Sequence, residues 1–254
     1  MRATLIFGLI GSLAAGHAAA ESITVAWRDK PPYHYREDGH ERGFLLHRAK
    51  RVFALANIPT EFVERPSKRI WLDFENGKKR YCSIGWYKLP EREAIAQFSQ
   101  PLHVDPPHVL LVNVSALPRI QAHRSLSSLL ADPGITLGVV DGVSYGPDLD
   151  QRMAHSANQI ERMTLSPEGM MRMLAANRIN YMLADEADWQ FLRKQREDLS
   201  QVTDYHFSDM PAGLQRFIVC SKDVAADTME RLNRAIAEEA LKSAEQSTAA
   251  PQRN

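Results

Sequence analysis

A chain of 254 residues carries 31 basic and 31 acidic side chains and no formal net charge at pH 7. That balance excludes the strong basic footprint that nucleic-acid binding leaves on a protein. Hydrophobic residues make up 44%, ordinary for a globular protein, and the length suits one large or two modest domains.

The chain opens with Arg2, an apolar run over residues 3–15 and then Ala18, Ala19 and Ala20. This is the layout of a secretory signal peptide over residues 1–20, cleaved near Ala20, and the run is too short to span a bilayer. Residues 1–20 hold one arginine and no acid, so cleavage would leave a formal charge of −1. The expected destination is the periplasm. Two cysteines in an exported chain point to one disulfide, the alternative being two buried thiols.

Residues 22–28 read as a strand, interrupted by Pro31 and Pro32, and residues 36–39 as a polar turn. Residues 43–57 have helical spacing, with Phe44, Leu45, His47, Val52, Leu55 and Ala56 on one broad face. Residues 60–64 are a second strand, 68–75 a helix that Ser67 could cap, and 80–86 a third strand. A β-α-β-α-β start favours a layered α/β domain with a parallel sheet. Further on, helices are expected at 126–130, 166–176, 186–196 and 225–240, and strands at 135–140, 180–184 and 217–220. The polar tail from Ser243 is expected to fray.

Three segments in order, Cys82-Ser83-Ile84-Gly85-Trp86, Leu89-Pro90-Glu91-Arg92-Glu93 and Phe98-Ser99-Gln100-Pro101, resemble extracellular solute-binding protein family 3. So do residues 138–144, which look like a second-lobe strand and ligand-facing turn, and Asn177-Arg178-Ile179-Asn180 with Leu183-Ala184-Asp185-Glu186. The resemblance covers nearly the whole chain after the leader. It implies an α/β fold of the two-lobed type II periplasmic-binding-protein kind, two α/β lobes joined by two crossing strands. Lobe 1 would hold residues 21–112 plus 213–254, and lobe 2 residues 113–212. It also implies a monomer that traps a small-molecule ligand by hinge closure and hands it to a membrane permease of an ABC-type transporter. Finally, it implies that the returning strand at 217–220 lies antiparallel beside the third strand, which would make Cys82 and Cys220 neighbours and disulfide partners.

The same resemblance nominates ligand-binding residues. Arg92 matches the arginine that pairs with a ligand carboxylate, a task suited to a planar, permanently charged fork; the alternative is a surface ion pair with Glu91 or Glu93. Asp185 matches the aspartate that accepts from a ligand amine, or it caps the helix that follows. Ser144, after Gly142, would hold a carboxylate with its hydroxyl and nearby amides, or simply serve a turn. Tyr33, Tyr35, Trp86 and Tyr87 are candidate cleft walls, packing in the core being the alternative. Leu89 stands where relatives place a hydroxyl three positions before Arg92, so a standard amino-acid ligand is not expected to bind well; Lys30 stands roughly where they place an aromatic, which would alter the pocket's floor. Arg69 reads as a solvated helix face.

No zinc motif, nucleophile elbow or phosphate loop occurs, and the methionines read as core filler, so no metal, cofactor or catalytic residue is expected. The leading expectation is a binding protein rather than an enzyme. The alternatives are a dehydratase-type enzyme on the same scaffold, with Asp185 or Glu186 as proton donor, and an orphan or sensory binding protein without a transporter.

Overall fold

Short apolar segments separated by amphipathic helices bury best as a sheet between helical layers. The computed structural model describes residues 22–249, so the leader segment lies outside the described residues. In chain order, β1 (Ile23–Trp27) leads to a hairpin of β2 (Tyr35–Glu37) and β3 (His40–Arg42), then α1 (Phe44–Leu55), β4 (Thr60–Glu64), α2 (Ser67–Glu75) and β5 (Tyr81–Trp86). The hairpin, expected only as a polar turn, is closed by Asp38 and Gly39, both at positive φ (49° and 76°), as a two-residue turn of the right twist requires. Pro66, not Ser67, precedes the first helical residue of α2, and no side chain caps that helix.

The chain continues through α3 (Pro90–Ile95) and β6 (Ala96–Val104) into β7 (Val109–Asn113), α4 (Leu117–Gln121), α5 (Leu126–Leu130), β8 (Thr136–Val140), α6 (Pro147–Ala154), β9 (Gln159–Met163), α7 (Pro167–Ala175), β10 (Tyr181–Ala184), α8 (Glu186–Leu192) and β11 (Val202–Tyr205). It returns as β12 (Gln215–Ser221) and ends in α9 (Ala226–Ala249), which runs past the expected fraying point at Ser243. The helix expected over 186–196 stops at Leu192, and a short 3-10 turn follows at Glu197–Leu199.

Two sheets result. The first has the order β4-β1-β5-β12-β6 and the second β11-β7-β10-β8-β9. In the first, β1 runs parallel to β4 and β5, and β12 runs antiparallel to β5 and β6. In the second, β8 runs parallel to β9 and β10, and β7 antiparallel to β10 and β11. Each sheet has a buried apolar cluster on both faces. In the first lobe, Leu45, Val52, Phe53 and Leu232 lie on one face and Ile70 and Phe74 on the other.

Because β7 already belongs to the second sheet, the outward crossing lies at residues 105–108, a few positions before the expected boundary at 112. The return lies at 206–214. Both crossings are short connectors rather than full strands. They touch: the Asp105 amide donates to the Leu214 carbonyl at 2.8 Å. A Cβ on Gly213 would fall 1.7 Å from the Asp105 carbonyl oxygen, so only glycine fits there.

Cys82 on β5 sits opposite Cys220 on β12, and the two form a disulfide with Cα atoms 4.0 Å apart. The bond closes a loop of 138 residues that contains the whole second lobe. Chain entropy assigns such a bond up to about 5 kcal/mol. Thermal unfolding with and without reductant should therefore show a clear loss of stability on reduction. Thiol labelling of unfolded, unreduced chain should find no reactive cysteine; two per chain would refute the pairing.

Candidate functional site: the interlobe cleft

In α/β sheets, ligands bind beyond the carboxyl ends of parallel strands. Here those ends converge from both lobes on one cleft of about 750 Å³. Arg28 and Lys30 follow β1, Trp86 and Tyr87 end or follow β5, Ser144 follows β8 and Asp185 follows β10, and all six line the cleft.

Arg92 also lines it, from the first turn of α3. Its guanidinium lies 4.7 Å from the centre of the Trp71 ring and 5.3 Å from that of Trp86. It donates from Nη1 to the Tyr87 carbonyl at 2.9 Å and makes no ion pair among the described residues, so the surface pairing with Glu91 or Glu93 does not form. Glu93 pairs instead with Lys88. Burial lowers the Arg92 pKa without removing the charge. Arg28 also approaches Trp86, 4.0 Å from the ring centre, and donates to the Gly85 carbonyl at 3.3 Å. Arg28 likewise makes no ion pair among the described residues, and its Nη1 is buried with no hydrogen-bond partner. Burial, then the nearby charge of Arg216, lowers its pKa to about 9, so it is cationic at neutral pH. The Trp86 indole is fixed by its own hydrogen bond to Ser83, at 2.7 Å.

The cleft acids are in the opposite condition. Asp185 makes no helix cap. Its Oδ2 lies 2.9 Å from both Lys30 Nζ and Arg216 Nη2, and its Oδ1 lies 3.0 Å from the Tyr87 hydroxyl and 3.3 Å from His108 Nε2. Burial alone would raise its pKa, but Lys30 and Arg216 outweigh burial and hold it ionised well below the usual carboxylate range. Asp188, one turn along α8, takes the same ammonium at 2.5 Å, while its Oδ1 is buried without a partner. Two carboxylates sharing one ammonium cannot both ionise cheaply. Asp185 has a second cation and Asp188 does not, so burial and Asp185 push Asp188 up to about 6 despite Lys30.

The other nominated residues fall as follows. Ser144 lines the cleft, but its hydroxyl donates to Asp150 Oδ2 at 2.6 Å, and the Tyr145 amide donates to Asp150 Oδ1 at 2.9 Å. The donors expected to hold a ligand carboxylate thus already hold one of the protein's own. Tyr33 is a correction: it is fully buried below the cleft, its hydroxyl bonded to Asp105 at 3.0 Å. A ring behind the loop at residues 30–34 packs inward because Arg216 stacks on it, 4.2 Å from its centre. Tyr35 packs edge-on against Phe191 and is not in the cleft wall. Arg69 is largely exposed and pairs with Asp73.

Sequence reasoning missed Arg28, Trp71, Asp188 and Arg216. The first could have been found, since it directly follows an apolar strand, where a crevice is expected. Asp188 shares a helical face with Asp185, three positions earlier. Trp71 and Arg216 give no such local signal.

The model of the bacterial extracellular solute-binding proteins, family 3, matches residues 23–242. The chain belongs to that family. Solved structures share its fold. The substrate-binding protein of an amino acid ABC transporter is 14% identical over 89% of this chain and 96% of its own, with a TM-score of 0.68. The GluR0 ligand-binding core from Nostoc punctiforme, in complex with L-glutamate, is 16% identical over 89% and 96%, with a TM-score of 0.66. An ancestral amino acid-binding protein that is a precursor of cyclohexadienyl dehydratase is 16% identical over 89% and 92%, with a TM-score of 0.68. No curated protein sequence matches the chain. At these identities the likeness speaks for the two-lobed fold and not for a ligand.

The raised pKa of Asp188 has a consequence for this family-3 chain. The folded state holds an extra proton between about pH 4, the unfolded value, and about 6. The stability this group contributes is therefore present at the acid end of that window and lost as pH rises through it. Asp188→Asn mimics the protonated form, so its Tm relative to the unsubstituted chain should rise steadily from pH 4 to 7. A Tm difference that stays flat over that range would show that Asp188 titrates as an ordinary acid.

Proposed function

We propose that this chain is a periplasmic receptor that captures a small carboxylate-bearing solute between its lobes by hinge closure and delivers it to the permease of an ABC-type transporter. Arg92 carries the reading. It places a guanidinium on the cleft wall, set against two indole rings and free of any ion pair among the described residues. Such a fork is a ready partner for a carboxylate. Membership of family 3 and the fold shared with an amino acid transporter's binding protein support the receptor role. The leader-like N-terminus supports the compartment.

The dehydratase alternative asks Asp185 or Glu186 to donate a proton. Asp185 is held ionised by Lys30 and Arg216, and Glu186 is not among the cleft-lining residues. A receptor needs no proton donor, and we assign no catalytic step.

Thermal-shift screening of the purified chain against small carboxylates should yield a stabilising solute. A solute at a hundredfold excess over its Kd adds about 2.7 kcal/mol. Calorimetry with that solute should then show Arg92→Ala weakening binding by about 2–5 kcal/mol, the usual result of truncating one member of a buried charge pair. Arg92→Lys should be weakened too, since an ammonium cannot reproduce the fork. Unchanged affinity in Arg92→Ala would remove Arg92 from the site.

A further inference from the structure

Asp29, Lys68 and Glu75 line the cleft but are exposed at its rim; the less exposed charges divide into two sets. Asp185 and Asp188 are both neutralised from within, by the ammonium of Lys30 at 2.9 and 2.5 Å and, for Asp185, by Arg216 as well. Glu168 is taken by Arg172 and Arg196. In the turn after β8, the Ser144 hydroxyl and the Tyr145 amide are taken by Asp150. Arg28 and Arg92, 4.0 and 5.3 Å from the centre of the Trp86 ring, have no carboxylate partner among the described residues. The uncompensated charge of the inner cleft is therefore cationic. Among the described residues, the buried pair of acids that could receive a ligand's ammonium, Asp185 and Asp188, is already filled by a side chain of the chain itself.

This inference rests on the receptor reading and narrows its ligand. We infer that Lys30 is a built-in cation that occupies the ammonium subsite formed by Asp185 and Asp188, so that the cleft accepts organic carboxylates lacking an amine and discriminates against the corresponding amino acids. An amino-acid ligand would have to displace Lys30 from two buried carboxylates or bring its own ammonium beside Lys30, Arg28 and Arg216. The first course leaves Lys30 without its partners and the second leaves the ligand's ammonium without one, and like charges placed together in a desolvated site cost affinity. A ligand with carboxylate alone meets the two guanidinium groups and leaves the Lys30 pairs intact. Trp71, Leu72, Val143 and Met182, which also line the cleft, would cover the ligand's carbon skeleton.

Three pairs of probes differ only by an α-ammonium: succinate and L-aspartate, glutarate and L-glutamate, 3-phenylpropanoate and L-phenylalanine. Isothermal titration of the purified chain should find at least one amine-free acid bound ten-fold or more tightly than its amino partner. Lys30→Met exposes the two acids and should shift that ratio by ten-fold or more toward the amino acid. Should Lys30→Met fold poorly with two adjacent acids, Lys30→Met combined with Asp188→Asn keeps a single carboxylate, still paired to Arg216, and should show the same shift. Equal or tighter binding of the amino acids by the unsubstituted chain overturns the inference and leaves the receptor reading standing. A preference that neither Lys30 variant moves also overturns it, because the discrimination then lies elsewhere. Failure of all three amine-free acids to bind overturns it as well; in that case a solute found in the wider screen still upholds the receptor reading, and its absence would count against both.

Discussion

Arg216 is the charge on which the arrangement of the two lobes depends. It lies on β12 with 2% of its side chain exposed, shielded from bulk solvent. Its Nη1 donates to the Gly85 carbonyl at 3.1 Å, and its Nη2 to the Tyr87 hydroxyl at 2.8 Å and to Asp185 at 2.9 Å. Its Nε lies 2.7 Å from Asp105 Oδ2, close enough for an ion pair though not aligned for a hydrogen bond. Breaking one such buried pair costs about 3–5 kcal/mol, because the partner is left charged and dry. One guanidinium thus ties together a central strand, a residue of the outward crossing and an acid of the opposite lobe.

The hinge inherits its geometry from this pairing. Asp105 receives the Tyr33 hydroxyl as well as Arg216, and the hydrogen bond from its own amide to Leu214 joins the two crossings where Gly213 lets them pass. Asp185 comes from the second lobe, whereas Lys30, Tyr87 and Arg216 come from the first and His108 from the crossing. Separating the lobes would strip Asp185 of most of its counterions, so lobe approach and cleft electrostatics are a single equilibrium. The disulfide between β5 and β12 holds only first-lobe strands together and leaves the crossings free to bend.

The cleft lies between the two lobes, and many of its polar groups are paired within the chain. Positions at which the resemblance implies ligand contacts are present at the mouths of the strands, yet Asp150 takes the donors around Ser144, and Lys30 takes the acceptors of Asp185. Leu89, buried at the start of α3, supplies no hydroxyl beside Arg92. What is left without an ion pair among the described residues is a pair of guanidinium groups near Trp86.

Much of the fold was legible in the residues alone. Alternating strand and helix patterns placed β1, α1, β4 and β5 within a residue or two, because hydrophobic periodicity and turn residues act over short stretches of chain. The hairpin at residues 35–42 and the strands β6 and β7 escaped notice, since Pro101 breaks the pattern of one and the other is a short apolar run without punctuation. The site was legible only as a set of addresses. Arg92, Trp86, Tyr87 and Asp185 could be placed at a cleft from the family resemblance, but their state of charge could not. Lys30 lies 158 residues from Asp188, and Arg216 lies 129 from Tyr87. By itself the sequence determined the alternation of elements, the class of fold and the residues available to the cleft. Only the tertiary structure decided which acids are neutralised from within and which guanidinium groups are left over, because pairing of buried charges depends on a few ångströms in space between residues that the chain holds far apart.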